Sequence, residues 1–193
     1  MLVAQGAHLI QADHIAHELM QPGQLVYEEV VRHFGHTILN PDGSVNRPKL
    51  AEAAFSPNPT GATRIGELNA IVHPAVIRHE DEWMAAEGRR DPRVIAVVEA
   101  ALILEAGAGD RFDRLIVVTC SEDQRVQRYA QRLKIDVEAA RREVVRRMTA
   151  QLPDSVKIQR ADYVIDNSGS IDNTEAQVRE LYATLKQEAE RKP

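Results

Sequence analysis

Residues 93–98 read Arg-Val-Ile-Ala-Val-Val, and residues 114–119 read Arg-Leu-Ile-Val-Val-Thr. Both runs are continuously apolar rather than alternating, which is typical of strands that are buried on both faces of a parallel sheet. Shorter apolar runs occupy residues 7–10 and 162–165, and long helical patterns separate the runs. Because strands that alternate with helices form βαβ units, we predict an α/β fold in which helices flank a parallel sheet.

The composition is that of an ordinary folded protein. We expect 193 residues to form one domain over residues 1–193, and the net charge of −5 makes the chain a poor candidate for a nucleic-acid-binding protein. The single cysteine, Cys120, excludes an intramolecular disulfide and is typical of a reducing compartment. No apolar run approaches the roughly 18 residues of a membrane span, and the first six residues lack the pattern of a signal peptide. We therefore expect a cytoplasmic protein with neither a membrane nor a nucleic acid as its partner.

Helix-start signals predict where several helices begin. Ser121 and the acidic residues after it predict the N-terminus of a helix over residues 124–133. Pro74 is expected in the first turn of a helix that covers residues 79–86, with His73 in extended backbone just before it. Near the C-terminus, apolar residues at 178, 181, 182 and 185 predict a helix that packs through one face.

Two regions are candidates for ligand binding. About 80 residues separate the first two strands, whereas a crossover between parallel strands needs only about a dozen. We predict a helical insertion over residues 20–90 that binds a substrate. Residues 125–147 contain eight basic and three acidic residues in an otherwise acidic chain. The region 122–152 is therefore either a solvated helical hairpin or a cationic cover over a polyphosphate.

A few polar residues follow predicted strands, where ligands of open α/β sheets bind. Asp13 follows the first strand, so it is either a proton acceptor for a substrate hydroxyl or only the N-cap of the next helix. Asn167 belongs to the run Asp-Asn-Ser-Gly after the last strand, and this composition is typical of a turn. A loop at this place could also contact a nucleotide base. His14 and His17 are three residues apart, but no third ligand has metal-site spacing, so we predict no metal centre.

Several short motifs occur in a fixed order between about Gly6 and about Leu185. Residues 161–169, Ala-Asp-Tyr-Val-Ile-Asp-Asn-Ser-Gly, are similar to the pattern A-D-x-V-I-D-N-x-G, and residues 102–105, Leu-Ile-Leu-Glu, are similar to L-L-F-E. Residues 6–19 are similar to G-x-x-V-I-D-A-D-x-I-A-R-x-L, and residues 72–74, Val-His-Pro, to L-H-P. Each motif is weak alone, but the ordered set resembles the dephospho-CoA kinase family. Further matches at family spacing are Pro22-Gly23, Phe34-Gly35, Asp42-Gly43-Ser44, Arg47, Leu50 and Phe55.

The resemblance implies an activity and a fold. The family transfers the γ-phosphoryl group of ATP, as its Mg²⁺ complex, to the ribose 3′-hydroxyl of dephospho-CoA, which gives coenzyme A. Its fold resembles that of P-loop nucleoside monophosphate kinases, with a parallel sheet, a helical substrate-binding region and a lid. Dephospho-CoA and ATP would then be the partners of this chain, which we expect to be a monomer.

The resemblance also implies roles for individual residues. Asp13 matches the aspartate that is taken as the catalytic base. The residues implied on the acceptor side are Arg47, His73 and Glu105. The residues implied on the ATP side are Arg128, Arg132, Lys157 and Asn167.

The sequence departs from the family pattern at several positions. Gln11 replaces the first aspartate of the motif that contains Asp13, Ala101 replaces a proline, and Asp154 replaces a basic residue. The phosphate-binding loop G-x-x-x-x-G-K-[S/T] does not occur in the printed sequence. Met1 aligns inside the family's first helix, so we expect the first strand, the loop and half of that helix to be absent because the start codon was placed too far downstream.

Two other interpretations remain open from the sequence. One is a non-catalytic remnant that binds a CoA-like ligand or a protein. The other is a different nucleotide-binding α/β protein whose resemblance to the family is restricted to the fold.

Overall fold

A computed structural model of the chain describes residues 1–57 and 61–191. In these residues the strands are β1 (His8–Gln11), β2 (Ala96–Glu99), β3 (Ile116–Thr119) and β4 (Tyr163–Asp166). Short 3₁₀ helices cover His36–Ile38 and Gly109–Arg111. The α-helices are α1 (Leu2–Gln5), α2 (Ala12–Leu19), α3 (Leu25–Phe34), α4 (Arg47–Phe55), α5 (Ile65–Arg90), α6 (Glu122–Leu133), α7 (Val137–Thr149), α8 (Asp154–Arg160) and α9 (Ile171–Arg191).

The chain divides into two compact units. The N-terminal unit is His8–Ala100, and the C-terminal unit combines Met1–Ala7 with Ala101–Pro193. β1 and β2 pair in parallel in the first unit, and β3 and β4 pair in parallel in the second. All four predicted strands are present, with bounds that differ by a few residues, and the predicted parallel pairing is confirmed.

The strands are less buried than their apolar sequences predict. Val118 in β3 is 58% exposed and Val164 in β4 is 43% exposed, while residues 96–98 of β2 are only half-buried. The prediction that β2 and β3 are buried on both faces is therefore wrong for the described residues. The physical reason is that each strand has one hydrogen-bonded neighbour, and a two-stranded sheet leaves much of its surface uncovered.

The core of the N-terminal unit is helical. Between β1 and β2 the described chain forms α2 to α5, as the prediction of a helical insertion requires, although its role as a substrate-binding region over residues 20–90 stays a prediction. The fully buried side chains Ile15 of α2 and Val30 of α3 pack in one cluster with Val76 of α5. Burying a large aliphatic side chain is worth about 1.5–3 kcal/mol, so this cluster holds the helices that carry Asp13, Arg47 and His73.

The C-terminal unit combines the β3–β4 pair with a helical hairpin. Ser121 caps α6 by accepting a hydrogen bond from the Gln124 backbone N–H at 3.3 Å, which confirms the predicted helix start. α6 and α7 pack through the buried side chains Val126, Ala130, Ala140 and Val144. The predicted one-faced helix is α9, which buries Val178, Leu181 and Leu185.

Gly6 ends α1 in a left-handed conformation with φ +110°. An added Cβ would lie 2.9 Å from the Tyr182 hydroxyl of α9. We expect Gly6→Ala to lower the free energy of unfolding by about 1–2 kcal/mol, because alanine is strained at this φ and collides with the tyrosine. The measurement is urea unfolding. Gly88→Ala is the control: Gly88 lies in α5 with no atom near its Cβ position, so alanine should stabilise by about 0.5–1 kcal/mol. A Gly6→Ala variant as stable as the wild type would contradict the prediction.

Candidate functional site

Asp13 lies in the first turn of α2, directly after β1. The helix N-cap is Gln11 in extended backbone, so the interpretation of Asp13 as the N-cap is wrong. The Asp13 side chain is exposed, and no hydrogen bond or ion pair to its carboxylate exists within residues 1–57 and 61–191. A carboxylate at a strand end with both oxygens free can accept a proton from a bound hydroxyl.

Gln11, which departs from the family motif, contacts β2 through its side chain. Gln11 and Glu99 are register partners at the ends of the two strands, and Gln11 Nε2 donates a hydrogen bond to Glu99 Oε2 at 3.0 Å. An aspartate at position 11 would place a second negative charge opposite Glu99, which is unfavourable. Glutamine is therefore the residue that fits this chain's Glu99.

Arg47 begins α4, and a tight turn sets its position. Asn46 caps the helix by accepting from the Lys49 backbone N–H at 3.1 Å, and Asn46 Nδ2 donates to Asn40 Oδ1 at 2.7 Å across the turn. The Arg47 guanidinium is exposed, and in the part of the chain that the structure describes it has no carboxylate partner. It lines a cleft of about 210 Å³ with His17, Met20, Gln21, Ser44 and Val45.

His73 lies inside α5, a helix of 26 residues that continues through Pro74. The prediction that Pro74 starts a helix and that His73 is extended is therefore wrong. A proline inside a helix loses one backbone hydrogen bond, but the neighbouring Val72, Ala75 and Val76 are buried in the core. Burial of this apolar face outweighs the local cost of proline. His73 itself is exposed.

The C-terminal unit contains a cleft of about 370 Å³ at the α6–α7 hairpin, which we call the cationic cleft. Arg128 and Arg132 are four residues apart on α6, so they project from one face of the helix. Tyr129 also lines the cleft, with the Arg132 guanidinium 5.4 Å from its ring centre. The residues that line the cleft also include Cys120, Arg125, Arg147 and Gln151.

Carboxylates neutralise several cations of the basic stretch, residues 125–147. In the described chain they do not neutralise Arg128 and Arg132. Arg141 pairs with Glu122 and Asp123, at 3.3 and 3.0 Å. Glu143 accepts from Arg146 and Arg147 at 2.7–2.8 Å, and these hydrogen bonds lower the Glu143 pKa to about 2. Within the described chain, the cations of the stretch that have no carboxylate partner are Arg128, Arg132, Lys134 and Arg142. The cationic cleft therefore holds two uncompensated positive charges.

The loop after β4 lies against α6. Asn167 N–H donates to the Thr119 carbonyl at 2.8 Å, which continues the strand pairing by one residue. Arg128 donates to the Asn167 carbonyl at 3.0 Å, and Thr174 donates to the Asn167 side-chain oxygen at 3.0 Å. Ser168 holds the pKa of Asp166 below its ordinary value by hydrogen bonding to its carboxylate. The loop therefore positions Asn167 next to an arginine of the cationic cleft.

Glu105 and Lys157, which the resemblance assigns to different ligands, form an ion pair. The distance from Lys157 Nζ to Glu105 Oε1 is 2.8 Å, and both side chains are largely buried. Burial alone raises the pKa of Glu105, but the hydrogen bonds from Lys157 and from backbone N–H groups outweigh it and hold the pKa below 4.5. The pair therefore stabilises the fold fully above pH 4.5, and this stabilisation is lost as the pH falls through the folded-state pKa.

The structure brings predicted residues into direct contact in the C-terminal unit. In the C-terminal unit, Glu105 contacts Lys157, and Arg128 contacts Asn167. In the N-terminal unit, Asp13, Arg47 and His73 lie on three different helices, and no hydrogen bond or ion pair among the described atoms joins them.

Sequence reasoning missed Gln151, which lines the cationic cleft, and the partnership of Arg125 with Asp154. Two features of the sequence could have drawn attention to this pair. Arg125 belongs to the basic stretch, and Asp154 departs from the family pattern. Gln151 had no such feature, because a polar residue in a turn is ordinary. These contacts depend on the packing of α7 and α8.

Residues 1–57 and 61–191 contain no group of three or more His, Cys, Asp or Glu side chains that is arranged to hold a metal ion. None of the helices in the same residues has both the length and the apolar character to cross a membrane.

Comparison with known proteins gives consistent relatives. The family model for dephospho-CoA kinase matches residues 1–173. The dephospho-CoA kinase of Corynebacterium efficiens is 37% identical over 185 residues, which are 96% of this chain and 88% of that protein. The dephospho-CoA kinase of Syntrophotalea carbinolica is 37% identical over 180 residues, covering 93% and 81% of the two chains.

Solved structures agree in fold. A Thermus thermophilus protein of known crystal structure has a TM-score of 0.72 and 29% identity over 95% of this chain and 87% of its own. A dephospho-CoA kinase from Campylobacter jejuni has a TM-score of 0.67 and 22% identity over 96% and 88% of the two chains. Since a family model matches nearly the whole chain and curated relatives exceed a third in identity, the chain belongs to the dephospho-CoA kinase family of transferases.

Proposed function

We propose that this protein transfers the γ-phosphoryl group of ATP to the ribose 3′-hydroxyl of dephospho-CoA. The observation that carries the proposal is the family match over residues 1–173, which spans Asp13, Arg47, His73 and the cationic cleft. The free carboxylate of Asp13 and the uncompensated charges of Arg128 and Arg132 support it, because phosphoryl transfer needs a proton acceptor and positive charge near the phosphates.

In this proposal Asp13 acts on the acceptor. A carboxylate oxygen of Asp13 takes the proton of the 3′-hydroxyl as the bond from O3′ to the γ-phosphorus forms. The bond from the γ-phosphorus to the bridging oxygen breaks, and ADP leaves with that oxygen. Arg47 and His73 bind the acceptor, the first through its free guanidinium and the second through its exposed imidazole.

The ATP side of the proposal rests on the C-terminal unit. Arg128 and Arg132 bind phosphate oxygens, Asn167 contacts the adenine, and the region 122–152 acts as the lid. Glu105 and Lys157 support this unit through the ion pair between them. Mg²⁺ enters as its complex with ATP, since Mg²⁺ in such sites keeps water and phosphate ligands beside one or two carboxylates. A cytoplasmic location, which the single cysteine supports, and a monomeric state complete the proposal.

The direct test is an assay of the protein with ATP, Mg²⁺ and dephospho-CoA, with products identified by mass spectrometry and ³¹P NMR. We expect equal amounts of ADP and a product phosphorylated at the ribose 3′ position, and no product from the 3′-deoxy analogue. Binding of dephospho-CoA without phosphoryl transfer would favour the non-catalytic remnant. An absence of both binding and transfer would contradict the proposed substrate and activity for this member of the family.

Arg47→Gln is expected to raise the KM for dephospho-CoA about tenfold and to leave kcat within about twofold, because it removes a charge that binds the acceptor before and during transfer alike. Steady-state kinetics at saturating ATP measure both constants. Arg32→Gln on α3 removes another exposed arginine and is the control. Equal effects of the two substitutions would exclude a specific role for Arg47.

A further inference from the structure

The largely buried ion pair between Glu105 and Lys157 has no role in the proton transfer proposed for Asp13 or in the phosphate contacts proposed for Arg128 and Arg132. The side chains are 17% and 15% exposed. Glu105 lies in the turn-rich segment after residue 100, and Lys157 lies on α8. Because each charge neutralises the other, neither offers a full charge to a ligand.

The pair holds the turn between α7 and α8 at two successive residues. Glu105 Oε1 accepts a second hydrogen bond from the Leu152 backbone N–H at 3.1 Å. Lys157 Nζ donates to the Gln151 side-chain oxygen at 2.9 Å. One carboxylate oxygen and one ammonium group therefore fix residues 151 and 152 together.

This turn forms part of the cationic cleft. Gln151 lines the cleft directly. Asp154, two residues after Leu152, pairs with Arg125, which also lines the cleft. We call residues 151–154 the cleft wall. A shift of the cleft wall would move Gln151, which lines the cleft, together with Asp154, which pairs with the lining residue Arg125.

The second carboxylate oxygen argues against direct ligand contact. Glu105 Oε2 is buried from solvent and has no hydrogen-bond partner in the described chain. A ligand cannot reach this oxygen unless the surrounding segment moves. A buried carboxylate with one unused oxygen is costly, which is tolerated where the charge is needed to hold its partner in place.

We infer that Glu105 and Lys157 are positioning residues that fix the cleft wall in the geometry with which the cationic cleft binds the phosphates of ATP. This inference rests on the proposed function and gives the two residues a shared role instead of separate contacts with the acceptor and with ATP. Small errors in position are costly in phosphoryl transfer, because the reaction depends on alignment and preorganised charge.

Steady-state kinetics of Glu105→Gln, Lys157→Met and the double variant test the inference. We expect each single variant to raise the KM for ATP about tenfold and to change the KM for dephospho-CoA less than about twofold. The double variant should be no worse than either single variant, because the two side chains act as one unit. Glu188→Gln is the control, since it removes the carboxylate partner of Arg114 in the same unit but away from the cleft. It should lower stability and leave both KM values unchanged.

A readout that does not depend on turnover uses Cys120, the one cysteine of the sequence, which lines the cleft. We expect iodoacetamide to alkylate Cys120 at least about threefold faster in Glu105→Gln than in the wild type, and ATP to protect the variant less. Glu188→Gln should react at the wild-type rate.

Three results would overturn the inference. They are a rise in the KM for dephospho-CoA in Glu105→Gln, a loss of kcat in Lys157→Met without an effect of Glu105→Gln, and an unchanged alkylation rate. A wild-type protein that makes no coenzyme A would instead refute the proposed function, and the alkylation rates would still decide whether Glu105 positions the cleft wall.

Discussion

Asp13→Asn is expected to lower kcat for phosphoryl transfer at least about 10²-fold while the affinity for dephospho-CoA stays within about twofold. Asparagine has nearly the same shape but cannot take a proton from the 3′-hydroxyl. Asp13 is suited to this role because it is exposed in the first turn of α2, two residues after β1, and no side chain in the described residues pairs with its carboxylate. Rapid-quench kinetics give the rate of transfer, and calorimetry gives the affinity for dephospho-CoA.

The control for this variant is Asp172→Asn. Asp172 is also an exposed aspartate in the first turn of a helix, α9, so its replacement reproduces any loss of interaction with a helix N-terminus. We expect Asp172→Asn to keep wild-type kcat. An Asp13→Asn enzyme with more than about a third of the wild-type kcat would rule out Asp13 as the general base.

The double substitution Arg128→Gln with Arg132→Gln is expected to lower kcat/KM for ATP about 10²-fold and to leave dephospho-CoA binding nearly unchanged. Each arginine supplies a charge-assisted hydrogen bond to a phosphate, worth about 1.5–3 kcal/mol where it is shielded and less where it is exposed. Arg128 also donates to the Asn167 carbonyl, so Arg132→Gln alone should be measured to separate charge from loop support.

Lys134→Gln with Arg142→Gln is the matched control for that pair. It removes the same amount of charge from the same helical hairpin, at exposed residues outside the cleft lining. We expect it to leave kcat/KM for ATP within about twofold at physiological salt, because neither side chain lines the cleft and salt screens exposed charges. If the two double variants lost activity equally, the basic stretch would be only a solvated face.

Local signals in the sequence predicted much of the fold. Ser121 indicated the start of α6, and the spacing from Val178 to Leu185 indicated the buried face of α9. Apolar β-branched runs located the four strands and their parallel pairing. These features depend on neighbours within a few residues, so the chain order is enough to detect them.

Pro74 shows where local reasoning failed. Proline and the residue before it predicted a helix boundary, but the helix continues because Val72, Ala75 and Val76 are buried together in the core of the N-terminal unit. Val118 shows the opposite error, since it was predicted to be buried and is 58% exposed. An apolar strand sequence indicates a preference for burial, but it does not determine which other elements pack on the strand. Both outcomes depend on residues far away in the sequence.

The sequence by itself determined the family, the chain order of strands and helices, and the identity of Asp13 as a carboxylate after a strand. The tertiary structure alone decided that, among the described residues, the Asp13 carboxylate has no partner and that Glu105 pairs with Lys157. It also decided that Arg125 pairs with Asp154, whereas Arg128 and Arg132 have no carboxylate partner in the same residues. The physical reason is that the availability of a charged side chain depends on which groups surround it. Such groups are often distant in the sequence. Arg125 and Asp154 are 29 residues apart in the chain, and Glu105 and Lys157 are 52 residues apart.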